Sequence, residues 1–393
     1  MTKSPRVLSI DVMRGLTLFL MLFVNDLYVP GVPAWLAHRP ADYDGMGLAD
    51  WVFPGFLFMV GMAVPFAIQS RIKKGDNLGQ ISYHILIRTV SLLIIGVLML
   101  NTGRLNSELT GISRNVWAIL MYISVFLVWN MYPDKNRKLA YVLKASGIIG
   151  LGILVSIFRS GTAKDIGWLV TGWWGILGLI GWGYLVTSFV YLFVKDNVKL
   201  TLLVWLGFVG LNVLSGLGLL GFLSFAKPVF GVIIDGNVPS IVMAGLFFSL
   251  VIRKLKTNPV KFVGVGLILG TFSIAVAFIL RNWFIISKII GTPSWAMLCN
   301  GISILLFVLL YVLIDIKGYS KWTGIFKTAG QNSLTTYLTP DIIYYSIWMS
   351  GLPILFYKKS EHLIVIIAGS IIWSLAMIFV AKVLQRVGVR LKL

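Results

Sequence analysis

The chain has 393 residues, 58% hydrophobic and only 12% charged, with a formal net charge of +20. A soluble domain carries roughly twice that share of charged residues, so a soluble globular fold is excluded. The basic excess would suit nucleic acid, but Lys and Arg also mark the cytoplasmic loops of membrane proteins, and where the cations lie decides between the two.

Apolar runs of about 20 residues, enough to span a hydrocarbon core of ~30 Å, recur along the chain. They fall near residues 7–29, 49–69, 81–100, 114–131, 139–158, 173–194, 200–223, 238–252, 260–280, 294–314, 331–351 and 362–384. The expected fold is all-α, a polytopic membrane helix bundle of about 10 to 12 transmembrane helices. It forms a single integral membrane domain over residues 1–393, with a His-bearing outer loop at 30–48 between the first two helices. Lys and Arg concentrate in alternate loops on the side of the N-terminus, in "RIKKGD", "PDKNRK" and "IRKLKTNPVK", while acidic residues lean the other way. That bias predicts cytoplasmic N- and C-termini and disfavours nucleic acid; the basic clusters read as topology markers.

The first apolar run carries Asp11 and Arg14 and lacks a small-residue cleavage site, so it reads as a retained helix and not a signal peptide. Charged groups inside spans are costly and mark functional candidates. At 100° per residue, Asp11, Arg14 and Asn25 share one face within about 60°. That face must point into the bundle, with Asp11 and Arg14 close enough to pair and Asn25 about 21 Å farther along. Asp11 and Arg14 then form either a structural lock or part of an anion site entered from the cytoplasm. Asn25 reads equally as a polar bridge between helices.

The next loop, "LAHRPADYDGMGLADWVFPG", holds His38, Asp42, Asp44 and Asp50. Asp50 precedes the second apolar run and is placed to cap that helix, whose opening turn accommodates Pro54. Asp42 and Asp44 read as turn-forming carboxylates that can also touch a substrate. His38 is the residue best suited to proton transfer near neutral pH, and Asn25 lies 13 residues before it. A base beside an amide makes a sensible catalytic pair, one group taking a proton and the other holding an oxygen. His84 and His362 read as interfacial. Arg88 lies within the third run, and Pro340 and Asp341 interrupt a later one, "LTTYLTPDIIYY". Cys299 is the only cysteine, so the chain has no internal disulfide and no cysteine metal site.

Two segments carry a family resemblance. "RVLSIDVMRGLTLFLMLFVND", the His-bearing loop and "GLADWVFPGFLFMVGMAVPFA" resemble the transmembrane acetyltransferases related to heparan-alpha-glucosaminide N-acetyltransferase. "TPSWAMLCNGISILLFVLLYVLIDIKG" with "AGQNSLTTYL" resembles the Trp, "DVKG" and "G-x-N-S" segments near that family's C-terminal end. The resemblance implies a bundle that takes acetyl-CoA as co-substrate from the cytoplasm, with no metal, and passes the acetyl group to an amino sugar or glycan on the far side. It assigns the active histidine to His38 and its partner asparagine to Asn25. Asp11, Arg14 and Gly15 match the "D-x-x-R-G" positions, Asp50 the acid before "V-F-P", and Asn332 the asparagine of the late motif. Asp11, Arg14 and Arg88 are then expected at the co-substrate, and Asp50, Asp44 and Asn332 at the acceptor. The loop departs from the family's pattern: Tyr43, Asp44 and Gly45 stand where a Trp-Asn-Gly step is expected, two residues later. Expected partners are acetyl-CoA, the acceptor glycan and the bilayer, the inner membrane of a bacterium, with a homodimer left open. A secondary transporter for a sugar or amino sugar is the alternative, since polar residues within twelve spans suit a carrier too.

Overall fold

Every apolar run forms a helix in the computed structural model, which describes residues 7–133, 137–255 and 257–393. In chain order the helices are α1 (Leu8–Asp26), α2 (Leu48–Ile72), α3 (Leu78–Thr102), α4 (Ser107–Thr110), α5 (Arg114–Trp129), α6 (Arg137–Ile157), α7 (Gly175–Val194) and α8 (Val198–Gly216). They continue as α9 (Lys227–Ile234), α10 (Asn237–Leu255), α11 (Pro259–Leu280), α12 (Pro293–Tyr311), α13 (Gly324–Gln331), α14 (Ser333–Ser350) and α15 (Leu363–Arg386). Among the described residues, ten helical segments are long and apolar enough to cross a membrane, and α5 is a shorter apolar helix. The protein is a polytopic helical membrane bundle. Within the basic clusters read as topology markers, residues 134–136 and 256 lie outside the described residues.

One antiparallel hairpin, β1 (Ser160–Thr162) with β2 (Asp165–Gly167), occupies the loop between α6 and α7. The expected interruption at Pro340 is not a break. Helix α14 runs through it, with Thr336 and Thr339 hydroxyls donating to the carbonyls four residues back.

The chain forms two compact units. The first comprises residues 1–25, 32–89 and 179–331, the second residues 26–31, 90–178 and 332–393. Helix α10 is the core of the first unit: every residue from Val238 to Ile252 is buried, as expected of a helix apolar all round. It packs against α2, α8 and α12, and α11 lies along α12. Without a hydrophobic force between helices in lipid, close approach of small residues drives their association. Here a Cβ on Gly61 would stand 1.8 Å from the Val242 carbonyl oxygen, and one on Gly245 1.9 Å from that of Phe58. Only glycine permits this crossing of α2 and α10.

In the second unit, α5 packs on α6 and α14, and α14 on α15. Trp117 and Phe158 meet edge to face at its core. Asp26, fully buried, accepts from Tyr357 at 2.8 Å and from Tyr344, and pairs with Lys358 at 2.9 Å. A buried carboxylate persists only when so compensated. Asp341 of α14 likewise accepts from the Tyr122 hydroxyl.

Candidate active site

The His-bearing loop of the first unit is stitched to the segment between α11 and α12. Gly45 donates its N–H to the Ile286 carbonyl at 3.0 Å, and the Ser287 hydroxyl donates to the Ala41 carbonyl at 2.8 Å. Asp44 accepts from the Ile286 N–H and from Arg281 Nε, both at 2.8 Å. The Ile286 N–H foremost, with Arg281, holds the Asp44 carboxyl below the usual carboxylate range. Both oxygens of Asp44 are therefore engaged in fixing the loop. The Arg39 guanidinium lies 3.6 Å over the Tyr43 ring, which tethers the turn after His38.

Asp50 occupies the third position of α2, not the cap position. Its Oδ2 accepts from the N–H of Gly47, the cap residue, at 3.0 Å and from the N–H of Arg39 at 3.1 Å. Since Gly47 has no side chain, this is half a capping box. The other oxygen, Oδ1, accepts from His38 Nδ1 at 2.8 Å. Trp295 Nε1 donates to the Asp50 carbonyl at 3.3 Å, tying α12 to the same turn.

Lys288 completes the cluster. Its Nζ stands 3.1 Å from His38 Nδ1 and 4.0 Å from Asp50 Oδ1. An ammonium only donates, and an Nδ1–H bonded to Asp50 cannot accept. The shorter bond to a charged acceptor decides the tautomer, so His38 carries its proton on Nδ1 and Lys288 answers Asp50 as an ion pair. Burial pushes the Lys288 ammonium below its ordinary value, and the Asp50 carboxylate opposes that shift. His38 is 42% exposed at its side chain while Asp50 is 1% exposed. With Nδ1 taken, Nε2 is the acceptor nitrogen of a part-exposed imidazole oriented by Asp50, the arrangement of a base or nucleophile held by a carboxylate.

A second site lies at the opposite end of the same helices. A pocket of about 920 Å³ is walled by Asp11 and Arg14 of α1, Lys73 and Lys74 just beyond α2, Arg253 of α10 and Tyr311 of α12. Arg14 pairs with Asp11 at 3.3 Å, as their spacing predicts. A Cβ on Gly15 would stand 1.7 Å from the Phe326 carbonyl oxygen, so glycine lets α13 rest on α1 beside this pair. Asp315 accepts from the N–H groups of Leu8 and Ser9 at 2.8 and 3.1 Å, satisfying the open first turn of α1. Arg253 also grips Asp196 through both terminal nitrogens, at 2.8 and 3.2 Å. Four cations against two carboxylates, Asp11 and Asp196, leave a positive excess that suits a polyanionic ligand.

Asn25, Arg88 and Asn332 complete the expected set. Asn25 is exposed in the last turn of α1, and among the described residues no hydrogen bond joins it to His38. Arg88 lies with its guanidinium 4.7 Å from the Tyr184 ring centroid and is not in the pocket wall. Asn332, in the second unit, is buried before α14 and donates to the Ala381 carbonyl at 3.3 Å. Among the described residues, no group of three or more His, Cys, Asp or Glu side chains could hold a metal ion.

Sequence reasoning missed Lys288, Asp315 and the pocket roles of Lys73, Lys74 and Arg253. A cation in "NWFIISKIIGTP", on the side otherwise poor in Lys and Arg, was the available signal for Lys288.

Comparison with known proteins agrees with the resemblance carried by these motifs. Residues 6–215 match a family described as a domain of unknown function, DUF5009. The mouse heparan-alpha-glucosaminide N-acetyltransferase is 24% identical over 95% of this chain and 59% of its own length. The human protein of the same name is 24% identical over 86% of this chain and 53% of its own length. The chain therefore spans under three fifths of the length of these curated relatives. With more than half of its residues matched, the chain belongs to the DUF5009 family.

Proposed function

We propose that the protein is a membrane-bound acyltransferase that moves an acetyl group from cytoplasmic acetyl-CoA to an amino sugar or glycan at the outer side of a bacterial inner membrane. The observation that carries the reading is the His38–Asp50 pair, with Nδ1 bonded at 2.8 Å on a ring whose side chain is 42% exposed. The relatives' name supplies the reaction class.

In this reading His38 Nε2 takes the proton of the acceptor amine or hydroxyl as it attacks the thioester carbonyl. A C–N or C–O bond forms, the C–S bond breaks, and His38 returns the proton to the leaving thiolate. In the alternative order His38 itself carries the acetyl group between two half-reactions. Asp50 keeps the ring in its Nδ1–H tautomer and offsets the charge it gains. The Asn25 amide is assigned to the oxygen that becomes negative in the transition state. Asp44 serves the acceptor side by holding the loop. Arg14, positioned by Asp11, joins Lys73, Lys74 and Arg253 in capturing the phosphates of the co-substrate where it enters, ahead of its advance along the bundle to His38.

The test uses purified protein in detergent, radiolabelled acetyl-CoA and a panel of amino sugars, with His38→Ala beside wild type. Labelled product from wild type and at least a hundredfold less from His38→Ala is expected. Absence of product from wild type, with uptake of the same sugars into proteoliposomes free of acetyl-CoA, would replace this reading with a carrier.

A further inference from the structure

At Nδ1, the imidazole of His38 meets two opposite charges. Asp50 Oδ1 lies 2.8 Å from Nδ1 and draws positive charge onto the imidazole. The Lys288 ammonium lies 3.1 Å from the same nitrogen, on a side chain only 25% exposed, and repels a second positive charge there. A carboxylate alone would favour the imidazolium, which has no lone pair on Nε2 with which to accept a proton or attack a carbonyl.

We propose that Lys288 is a positioning residue that acts through Asp50 and His38, sharing the carboxylate so that the imidazole stays neutral and Nε2 stays bare. The role deepens the acyltransferase reading, but the charge balance it describes exists without any substrate.

The surroundings leave this balance to the three residues. From the loop itself, Arg39 is turned onto the Tyr43 ring and Asp44 is bonded to Arg281 and Ile286. Asp42 stays in the exposed turn. From α12, the fully buried Cys299 thiol lies within electrostatic reach of Asp50 and Lys288. The second oxygen of Asp50 is occupied by the Gly47 and Arg39 N–H groups, so Oδ1 alone divides between imidazole and ammonium. Burial pressing Lys288 towards the neutral amine is countered by that same oxygen, which makes the ion pair mutual.

Diethyl pyrocarbonate attacks neutral imidazole, so its pH dependence reads the protonation of one histidine directly. In a His84→Gln, His362→Gln background only His38 remains, and mass spectrometry of its peptide follows the modification without acetyl-CoA or acceptor present. Lys288→Met should raise the midpoint pH by about one unit, Lys288→Arg should keep it, and Asp50→Asn should lower it. Lys288→Gln serves the same reading should the Met variant not fold. A midpoint unmoved or lowered in both neutral variants would overturn the proposal and leave Lys288 a tether of the loop. The shift seen in a protein that transfers no acetyl group would instead uphold the charge balance and refute the acyltransferase reading alone.

Discussion

The carboxylate of Asp50 and the imidazole of His38, twelve residues apart in sequence, meet at 2.8 Å because the intervening loop returns its chain to the start of α2. Asp50→Asn keeps the shape of the side chain but turns an acceptor of three hydrogen bonds into a partial donor. The expected outcome is a fall in acetyl transfer of about a hundredfold or more, with little change in the KM for acetyl-CoA, measured by steady-state kinetics in detergent. A KM effect without a kcat effect would remove Asp50 from the proton path.

The cationic pocket should behave as a binding site and not as a reaction centre. Lys73→Ala and Arg253→Ala are each expected to raise the KM for acetyl-CoA by roughly tenfold while leaving kcat within about twofold. Raising the salt concentration should reproduce part of that loss in the wild type and less of it in the variants. Arg88→Ala, whose guanidinium rests on Tyr184 outside this pocket, should leave the KM unchanged.

The crossing of α2 and α10 leaves no space for a methyl group. Gly61→Ala or Gly245→Ala drives a new carbon into a backbone carbonyl and should destabilise the protein by about 1–3 kcal/mol or more. A thermal scan of the detergent-solubilised protein should show a lower unfolding temperature for either variant. A methyl at Gly264, where nothing stands within 4 Å, should leave that temperature in place.

Acid should loosen the His-bearing loop through Asp44. Its folded-state pKa lies below the ordinary value near 3.8, so its contribution to stability is complete above the unfolded value. That contribution disappears as the pH falls through the lower, folded value. Limited proteolysis between residues 36 and 47 should therefore accelerate below about pH 4 in the wild type. In Asp44→Asn the loop should be cut faster already at neutral pH, with a flatter acid dependence.

The spans were legible because lipid demands long apolar runs, and the pairing of Asp11 with Arg14 because helix geometry fixes what lies three residues away. His38 and Asp50 were both singled out, yet their bond was not, since a loop has no period from which to compute who meets whom. Asn25 was expected on the bundle-facing side of α1 and beside His38; it is exposed instead, and helix phase says nothing about where the following loop folds. Lys288 lies 250 residues from His38, and the packing of α12 against α2, with the bonds that stitch residues 286–287 to the loop, brings it there. Lys73, Lys74 and Arg253 show a different limit. As loop cations they were read as markers of sidedness, and the ends of α2 and α10 must be placed together before they become the wall of a pocket.

Helix α2 begins with Asp50 in its first turn and ends one residue before Lys73, a distance of about 35 Å along its axis. Near its middle it is seated on α10 through the Gly61 and Gly245 contact, where backbone rides directly on backbone. A slide of α2 along α10 would push each glycine's neighbours into a carbonyl, so the seat fixes the level of α2 against α10, and with it the separation between the His38–Asp50 pair at one end and the cationic pocket at the other.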